Sequence, residues 1–351
     1  MAIIHSNKFG SLWTGEIARG CELCWKGAKA VIFITGKCNF RCWYCPISDE
    51  RRGKDVVYAN ERPISKISDA IKEAEEMDAL GASITGGEPM LVFNRVLKYL
   101  RTFKKRFSKG SKGNFHIHLY TYIGTSKERL SQLANAGLDE IRFHRLDGLV
   151  ADRIKNAINA GLSTGIEIPC IPWPEKERYN AELERLKRIV DFCAENDLFL
   201  NLNEFEFSET NWNAMLARGF ERIGESYAVR GSAKLARKII SYAAKKSVNA
   251  HFCSVKTKFM LQLVERLKRR ARKIKKPWQS INQYGYLVYG GVECSKKLSQ
   301  ALGLEYDKAE GLALTSIKNA KHLARKYGLK AFKIVLFPIY KPWIFEKSEI
   351  R

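Results

Sequence analysis

The run TGKCNFRCWYCP, beginning at Thr35, carries Cys38, Cys42 and Cys45. Three thiolates this close can wrap one cubane iron–sulfur cluster and leave its fourth iron without a protein ligand, whereas four-cysteine ferredoxin sites close that position. An open iron can take a small molecule directly, by the logic that keeps catalytic zinc sites three-coordinate. A zinc knuckle or a purely structural cluster is the alternative for these residues alone. Further on, TGGEP spans Thr85 to Pro89. Gly86 and Gly87 permit close backbone approach, and the Glu88 carboxylate is the expected partner of an ammonium. Taken alone, that segment reads as a tight turn.

A second pair, Cys21-x2-Cys24, precedes the triad. Two ligands are not a site, and the best partners are His251 and Cys253 in NAHFCS, alternate residues that can converge on one ion. Cys294 is the reserve ligand. A structural Zn²⁺ is the first expectation, an auxiliary iron–sulfur cluster the second, and unligated buried cysteines the third. Cys170 and Cys193 read as core residues. With nine cysteines and no secretory signal, metal or catalysis is favoured over a disulfide framework.

The elements that must position these residues alternate. Strand candidates start at Ala30, Ala82, Phe115, Glu140, Ser163 and Leu198. Helical stripes lie between them, and the expected stops are Gly81, Gly137 and Gly161. Six β-α units imply a parallel sheet, flat or curved as a partial barrel, with chemistry in the loops after the strands' C-terminal ends. The expected organisation is residues 1–29 as a metal-ligand segment, 30–225 as the core, and 226–351 as a basic α/β region.

Cys38-x3-Cys42-x-Tyr44-Cys45 followed by GGEP one β-α unit later resembles the radical S-adenosylmethionine (SAM) superfamily. The resemblance implies a partial (β/α)6 barrel, with a 4Fe–4S cluster on Cys38, Cys42 and Cys45. SAM would chelate the open iron and be reductively cleaved to a 5′-deoxyadenosyl radical, with ferredoxin or flavodoxin as the kind of electron donor. It places the methionine ammonium on Gly86, Gly87 and Glu88, with Pro89 closing the segment. By position, the Tyr44 backbone, Gly165 and Ile166 correspond to adenine contacts. Thr121, Tyr122, Arg142 and His144 are candidates for the ribose and carboxylate. Asn203, Glu204, Glu206 and Ser208, polar within an apolar run, are candidate substrate contacts because unpartnered buried charge is costly. More narrowly, GCELCWKGAKAVIFITGKC, GIEIPCIP, LNLNEFEFSETN and HFCS resemble a mainly archaeal group related to pyruvate formate-lyase activating enzyme.

Charge suggests the partner. The chain carries 61 Lys/Arg against 37 Asp/Glu, a net +24. Residues 251–351 hold 22 of the basic and 7 of the acidic residues. Such a field gathers polyanions. Arg269, Arg270, Arg272 and Lys273 on one basic helix, followed by Trp278, Tyr284, Tyr286 and Tyr289, combine phosphate-binding and stacking groups. The stretch RTFKKRFSKGSKG from Arg101 could extend the field. The leading expectation is therefore modification of an unactivated carbon on a tRNA nucleoside, such as methylation of a hypermodified base side chain, or action on another structured RNA. The competing expectations are a glycyl-radical-enzyme activase or peptide modifier, and a non-catalytic metal-containing RNA-binding module. No apolar run is long enough to span a bilayer, and the expected compartment is the cytoplasm.

Overall fold

In the computed structural model the described residues are 2–107 and 115–350. The part of the RTFKKRFSKGSKG stretch beyond Phe107 lies outside them. They form two compact units, Met1–Ala74 with Ala79–Leu263, and Glu75–Asp78 with Val264–Arg351. No helix among the described residues is long and apolar enough to cross a membrane.

The first unit is built on strands β1 (Ile4–Ser6), β2 (Leu12–Thr14), β3 (Lys29–Phe33), β4 (Tyr58–Ala59), β5 (Arg62–Pro63), β6 (Gly81–Thr85), β7 (His116–Thr121), β8 (Glu140–Phe143), β9 (Ser163–Cys170), β10 (Phe199–Glu204) and β11 (Ala250–Cys253). Their order across the sheet is β1-β2-β11-β10-β9-β8-β7-β6-β3-β4-β5. From β11 to β3 every neighbouring pair is parallel, giving seven parallel strands. This is the open, partial-barrel arrangement that the β-α repeat predicts, with one strand more than the six expected. The seventh, Ala250–Cys253, falls in the segment that the sequence reading places in the basic region. Its pairing with β10 from Leu200↔Ala250 to Asn203↔Cys253 makes it part of the first unit, whose boundary falls after Leu263 rather than residue 225.

Helices α1 (Arg19–Trp25), α2 (Ile67–Glu76, whose last two residues belong to the second unit), α3 (Phe93–Phe107), α4 (Lys127–Asn135), α5 (Gly148–Asn159), α6 (Lys176–Glu195), α7 (Trp212–Leu216), α8 (Ser232–Lys245) and α9 (Val255–Thr257) complete the unit, with a π-helical turn over Lys258–Leu263. Ser126 and Asp147 accept from the backbone of the first turns of α4 and α5, and Gly137 and Gly161 stand in positive φ just past their ends, as expected. Gly81 is not the stop of α2. Asp78 takes the left-handed conformation, while Gly81 opens β6, where a Cβ would stand 2.4 Å from the His116 carbonyl oxygen.

Side chains alternate across a strand, and here the two faces differ in chemistry. Ala30, Ile32, Ile84, Ile117, Leu119, Ile141, Phe143, Ile166, Leu200, Leu202 and Phe252 are buried on one face. The other carries Lys29, Ser83, His118, Glu140, Arg142, Glu167, Asn201 and His251, all buried as well. A structural barrel fills its interior with branched aliphatic residues; this one fills it with ionisable ones.

The second unit contains α10 (Val264–Ile274), β12 (Ser280–Ile281), β13 (Leu287–Glu293), α11 (Lys296–Ala301), β14 (Glu305–Asp307), β15 (Leu312–Thr315), α12 (Ile317–Tyr327), β16 (Ala331–Phe337) and β17 (Trp343–Ile350). Its sheet is antiparallel, in the order β14-β15-β13-β16-β17, with β12 on β13.

Candidate functional site

The loop leaving β3 carries the cysteine triad, and its two stems are tied together. Gly36 N–H donates to the Lys54 carbonyl at 2.8 Å and Gly53 N–H to the Gly36 carbonyl at 2.9 Å. Asp55 accepts Thr35 Oγ1 at 3.0 Å and a bidentate Arg95 at 2.6 and 3.0 Å. The tip is held from across the sheet. Thr210 Oγ1 donates to the Cys45 carbonyl at 3.1 Å, and Asn211 Nδ2 to the Tyr44 carbonyl at 3.1 Å. Arg52 adds a bond to the Cys45 carbonyl at 2.6 Å. Cys38 is exposed, and Cys42 and Cys45 are half-buried. Burial pushes the Cys38 and Cys42 thiols up, so ligation must take their protons away. Three thiols on one pinned loop fit a cubane with one iron left open.

GGEP follows β6 and lies directly against this loop. Gly87 N–H donates to the Thr35 carbonyl and Glu88 N–H to the Lys37 carbonyl, both at 2.8 Å. A Cβ on Gly86, at φ +150°, would stand 2.3 Å from the Thr35 oxygen, and one on Gly87 2.2 Å from the Lys37 oxygen. The glycines thus admit the cluster loop itself. Glu88 is buried, caps the short 3-10 turn that Pro89 opens, and accepts three bonds: Met90 N–H at 3.0 Å, Thr121 Oγ1 at 2.9 Å and Tyr122 N–H at 2.8 Å. Its carboxylate is committed to positioning the ends of β6 and β7, a role the sequence did not reveal. A cleft of about 340 Å³ opens here between Asn39, Phe40, Glu88, Met90, Ile123–Ser126, Arg129 and Arg153.

The other expected SAM contacts divide. His144 is half-buried, and its ring lies among Tyr44 and Tyr122, 6.4 and 6.3 Å away. Desolvation pushes its pKa down, and the Phe40 and Tyr122 rings lie next to it, tilted at 31° with centroids 4.2 Å apart. Thr121 is bonded to Glu88. Arg142 is not available to a ligand carboxylate: its guanidinium is buried between Glu140 and Glu167 and ion-pairs with both. Gly165 lies in the first half of β9, where a Cβ would stand 2.2 Å from the Phe199 ring, and Ile166 is buried on the aliphatic face. Neither meets the triad through a side chain.

Of the polar residues around the end of β10, Asn203 donates to Glu167 at 2.9 Å, Glu204 accepts Val255 N–H at 2.7 Å, and Glu206 pairs with Lys258 at 2.6 Å. Ser208 N–H donates to Asn211 Oδ1 at 2.7 Å, which shapes the turn that grips the cluster loop. Sequence reasoning stops at Ser208 and misses Thr210 and Asn211. Beside them Trp43 stacks on Phe220 at 5.7 Å, with the Arg218 guanidinium over its ring at 4.5 Å.

Cys21, Cys24, His251 and Cys253 all belong to the first unit, and Cys294 to the second. Cys21 and Cys253 are buried, with their thiols pushed up to about 12 by desolvation. Among the described residues, His116, His118 and Glu140 bring three ligand atoms within 4.8 Å of one another. Lys29 Nζ lies against both ring nitrogens of His118, and Arg142 is on Glu140. Two resident cations make that group an ion network.

In the second unit, Arg270 is buried and pairs with Glu76 at 2.7 Å, and Arg269 pairs with Asp78 at 2.6 Å. These two are structural ties, which corrects their reading as phosphate ligands; Arg272 and Lys273 are exposed. Tyr289 is core, with Trp278 edge-on at 5.2 Å.

The model of the radical SAM superfamily matches residues 32–147. Provisionally named GTP 3′,8-cyclases of Methanococcus maripaludis and Thermococcus kodakarensis are 23% and 26% identical over 49% and 50% of this chain, which spans 57% and 56% of their lengths. A solved structure of HydG, a maturase of the FeFe-hydrogenase, aligns at TM-score 0.42 and 12% identity, over 67% of this chain and 57% of that one. A Methanocaldococcus jannaschii protein, provisionally named a glycyl-radical enzyme activating enzyme, is 39% identical over 288 residues, 78% of this chain and 73% of its own. With that relative, the triad on its pinned loop and GGEP against it, this chain belongs to the radical SAM superfamily.

Proposed function

We propose that this chain removes a hydrogen atom from a carbon of a protein partner, as a glycyl-radical-enzyme activase or a related peptide-modifying enzyme. The observation that carries the reading is the likeness to the M. jannaschii protein, which extends over 78% of the chain, well beyond the residues 32–147 of the superfamily match. When bound, the 4Fe–4S cluster supplies one electron to SAM, whose cleavage gives methionine and the 5′-deoxyadenosyl radical. Cys38, Cys42 and Cys45 would hold the cluster. Gly86 and Gly87 let the backbone close on its loop, and Glu88 fixes the strand ends beside it. Arg129 and Arg153, lining the adjoining cleft, are the cations that would face the SAM carboxylate. Ferredoxin or flavodoxin is the class of protein that would deliver the electron.

A second reading, modification of a tRNA nucleoside carbon by an RNA-modifying transferase, is favoured by the net charge of +24 and by exposed Arg272 and Lys273. Isotope transfer separates the two. The reconstituted enzyme is supplied with SAM, dithionite and either a perdeuterated protein fraction or a perdeuterated RNA fraction from its host. Deuterium in 5′-deoxyadenosine from the protein fraction supports the first reading. Deuterium from RNA alone replaces it with the second.

A further inference from the structure

We propose that Cys21, Cys24 and Cys253, with His251, hold a second iron–sulfur cluster on the polar face of the first unit's sheet.

Helix α1 is pressed onto that face. Gly20 N–H donates to Glu140 Oε2 at 3.0 Å, and a Cβ on Gly20 would stand 2.2 Å from His118 Nδ1 and 2.6 Å from Arg142 Nη2. The helix therefore delivers its cysteines, three residues apart and on one side, to the strands beneath. Cys21 Sγ lies 3.8 Å from Asn201 Oδ1, and Asn201 is the register partner of His251. Two pairs further along β10 and β11, and so on the same face, Asn203 is the register partner of Cys253. The Trp25 ring meets the His251 ring edge-on at 5.3 Å.

Two buried polar groups here lack a hydrogen bond. Neither nitrogen of the His251 ring has a partner, and neither does the Trp25 indole N–H. Such groups are costly when left alone, and each suits a metal centre, the imidazole as a ligand and the indole as a donor to sulfide.

Ligand spacing selects the metal. One zinc ion with Zn–S near 2.3 Å holds its sulfurs within about 4 Å of each other. The cysteines of this group are not drawn within 4.8 Å as a set, and the same is true of Cys38, Cys42 and Cys45, whereas His116, His118 and Glu140 are. A polynuclear cluster spreads its thiolates over different irons. This geometry favours it over the zinc ion that sequence puts first.

The experiment is iron, acid-labile sulfide and zinc analysis of anaerobically reconstituted full-length protein. Wild type should hold about eight irons per chain, and the Cys38→Ala/Cys42→Ala/Cys45→Ala variant about four. Adding Cys21→Ser and Cys253→Ser should bring iron to background. A folded triad variant without iron and sulfide, or with stoichiometric zinc in their place, overturns the proposal. Cys21→Ser/Cys24→Ser in the intact triad gives an independent reading. Its iron should fall by half, with the SAM-induced change in the reduced EPR signal kept. Undiminished iron there overturns this site alone, whereas loss of the SAM response in wild type would strike the triad assignment instead.

Discussion

Asn211 reaches across the first unit to donate its side-chain amide to the carbonyl of Tyr44, 3.1 Å away, within the cysteine triad. The same residue accepts Ser208 N–H at 2.7 Å, and its neighbour Thr210 holds the Cys45 carbonyl. The loop after β10 thus sets the position of two residues on the loop after β3. Asn211→Ala should lower stability by about 1–3 kcal/mol through the groups it leaves unbonded. It should also slow SAM cleavage roughly tenfold if about 1.4 kcal/mol of loop positioning is lost. Asn211→Asp keeps the acceptor for Ser208 but loses the donor, so it should recover stability more than rate. Thermal melting and 5′-deoxyadenosine yield on the three proteins check this.

Gly86 and Gly87 make a steric prediction. Alanine at either position places a Cβ 2.2–2.3 Å from a backbone oxygen of the triad loop, where nothing flexible can yield. Gly87→Ala should lower reconstituted iron at the triad to less than half. Gly148→Ala meets nothing within 4 Å and is the control. Equal iron in both variants would show that the loop moves aside.

The triad, GGEP and the six β-α units are legible because each is a local pattern, a spacing or a period that a short window contains. What sequence misjudges depends on register. Cys253 and His251 sit on β11, whose membership of the first sheet is fixed by pairing with β10, fifty residues earlier in register. Arg142 reads as a ligand residue because an isolated strand does not show that Glu140 and Glu167 converge on it. Arg269 and Arg270 read as free because their acidic partners lie at the end of α2 and in the turn after it. Thr210 and Asn211 are ordinary loop residues whose role exists only once two distant loops meet.

The Arg142 network should set the acid limit of the fold. Burial pushes the Glu140 and Glu167 carboxyls up, but Arg142 outweighs it together with His116 and Lys29 at Glu140 and with Asn203 and Asn201 at Glu167, and both are held below the usual carboxylate range. A carboxyl with a depressed folded pKa stabilises above its unfolded value, near 4.5, and loses that contribution as pH falls below it. Urea unfolding should therefore show stability dropping steeply below about pH 4.5. Arg142→Leu, which strands two buried carboxylates, should cost about 3–5 kcal/mol at pH 7 and show a much shallower acid decline. A variant parallel to wild type across that range would contradict the network.

Helix α10 offers a test that separates scaffold from surface. Arg270 is buried on Glu76 and Arg269 is tied to Asp78, so alanine at either should destabilise the second unit by about 1–3 kcal/mol. Arg272 and Lys273 are exposed, and Arg272→Ala/Lys273→Ala should stay within about 0.5 kcal/mol of wild type. Only the exposed pair can report on a polyanion without confounding it with unfolding. If RNA is the substrate, filter binding of tRNA over a salt series should weaken, and the slope of log K against log salt should flatten by about 0.7–0.9 for each phosphate that is no longer neutralised. Identical slopes for wild type and the double variant would remove this helix from any RNA surface. No binding by either protein would leave the protein-directed reading as the one to pursue.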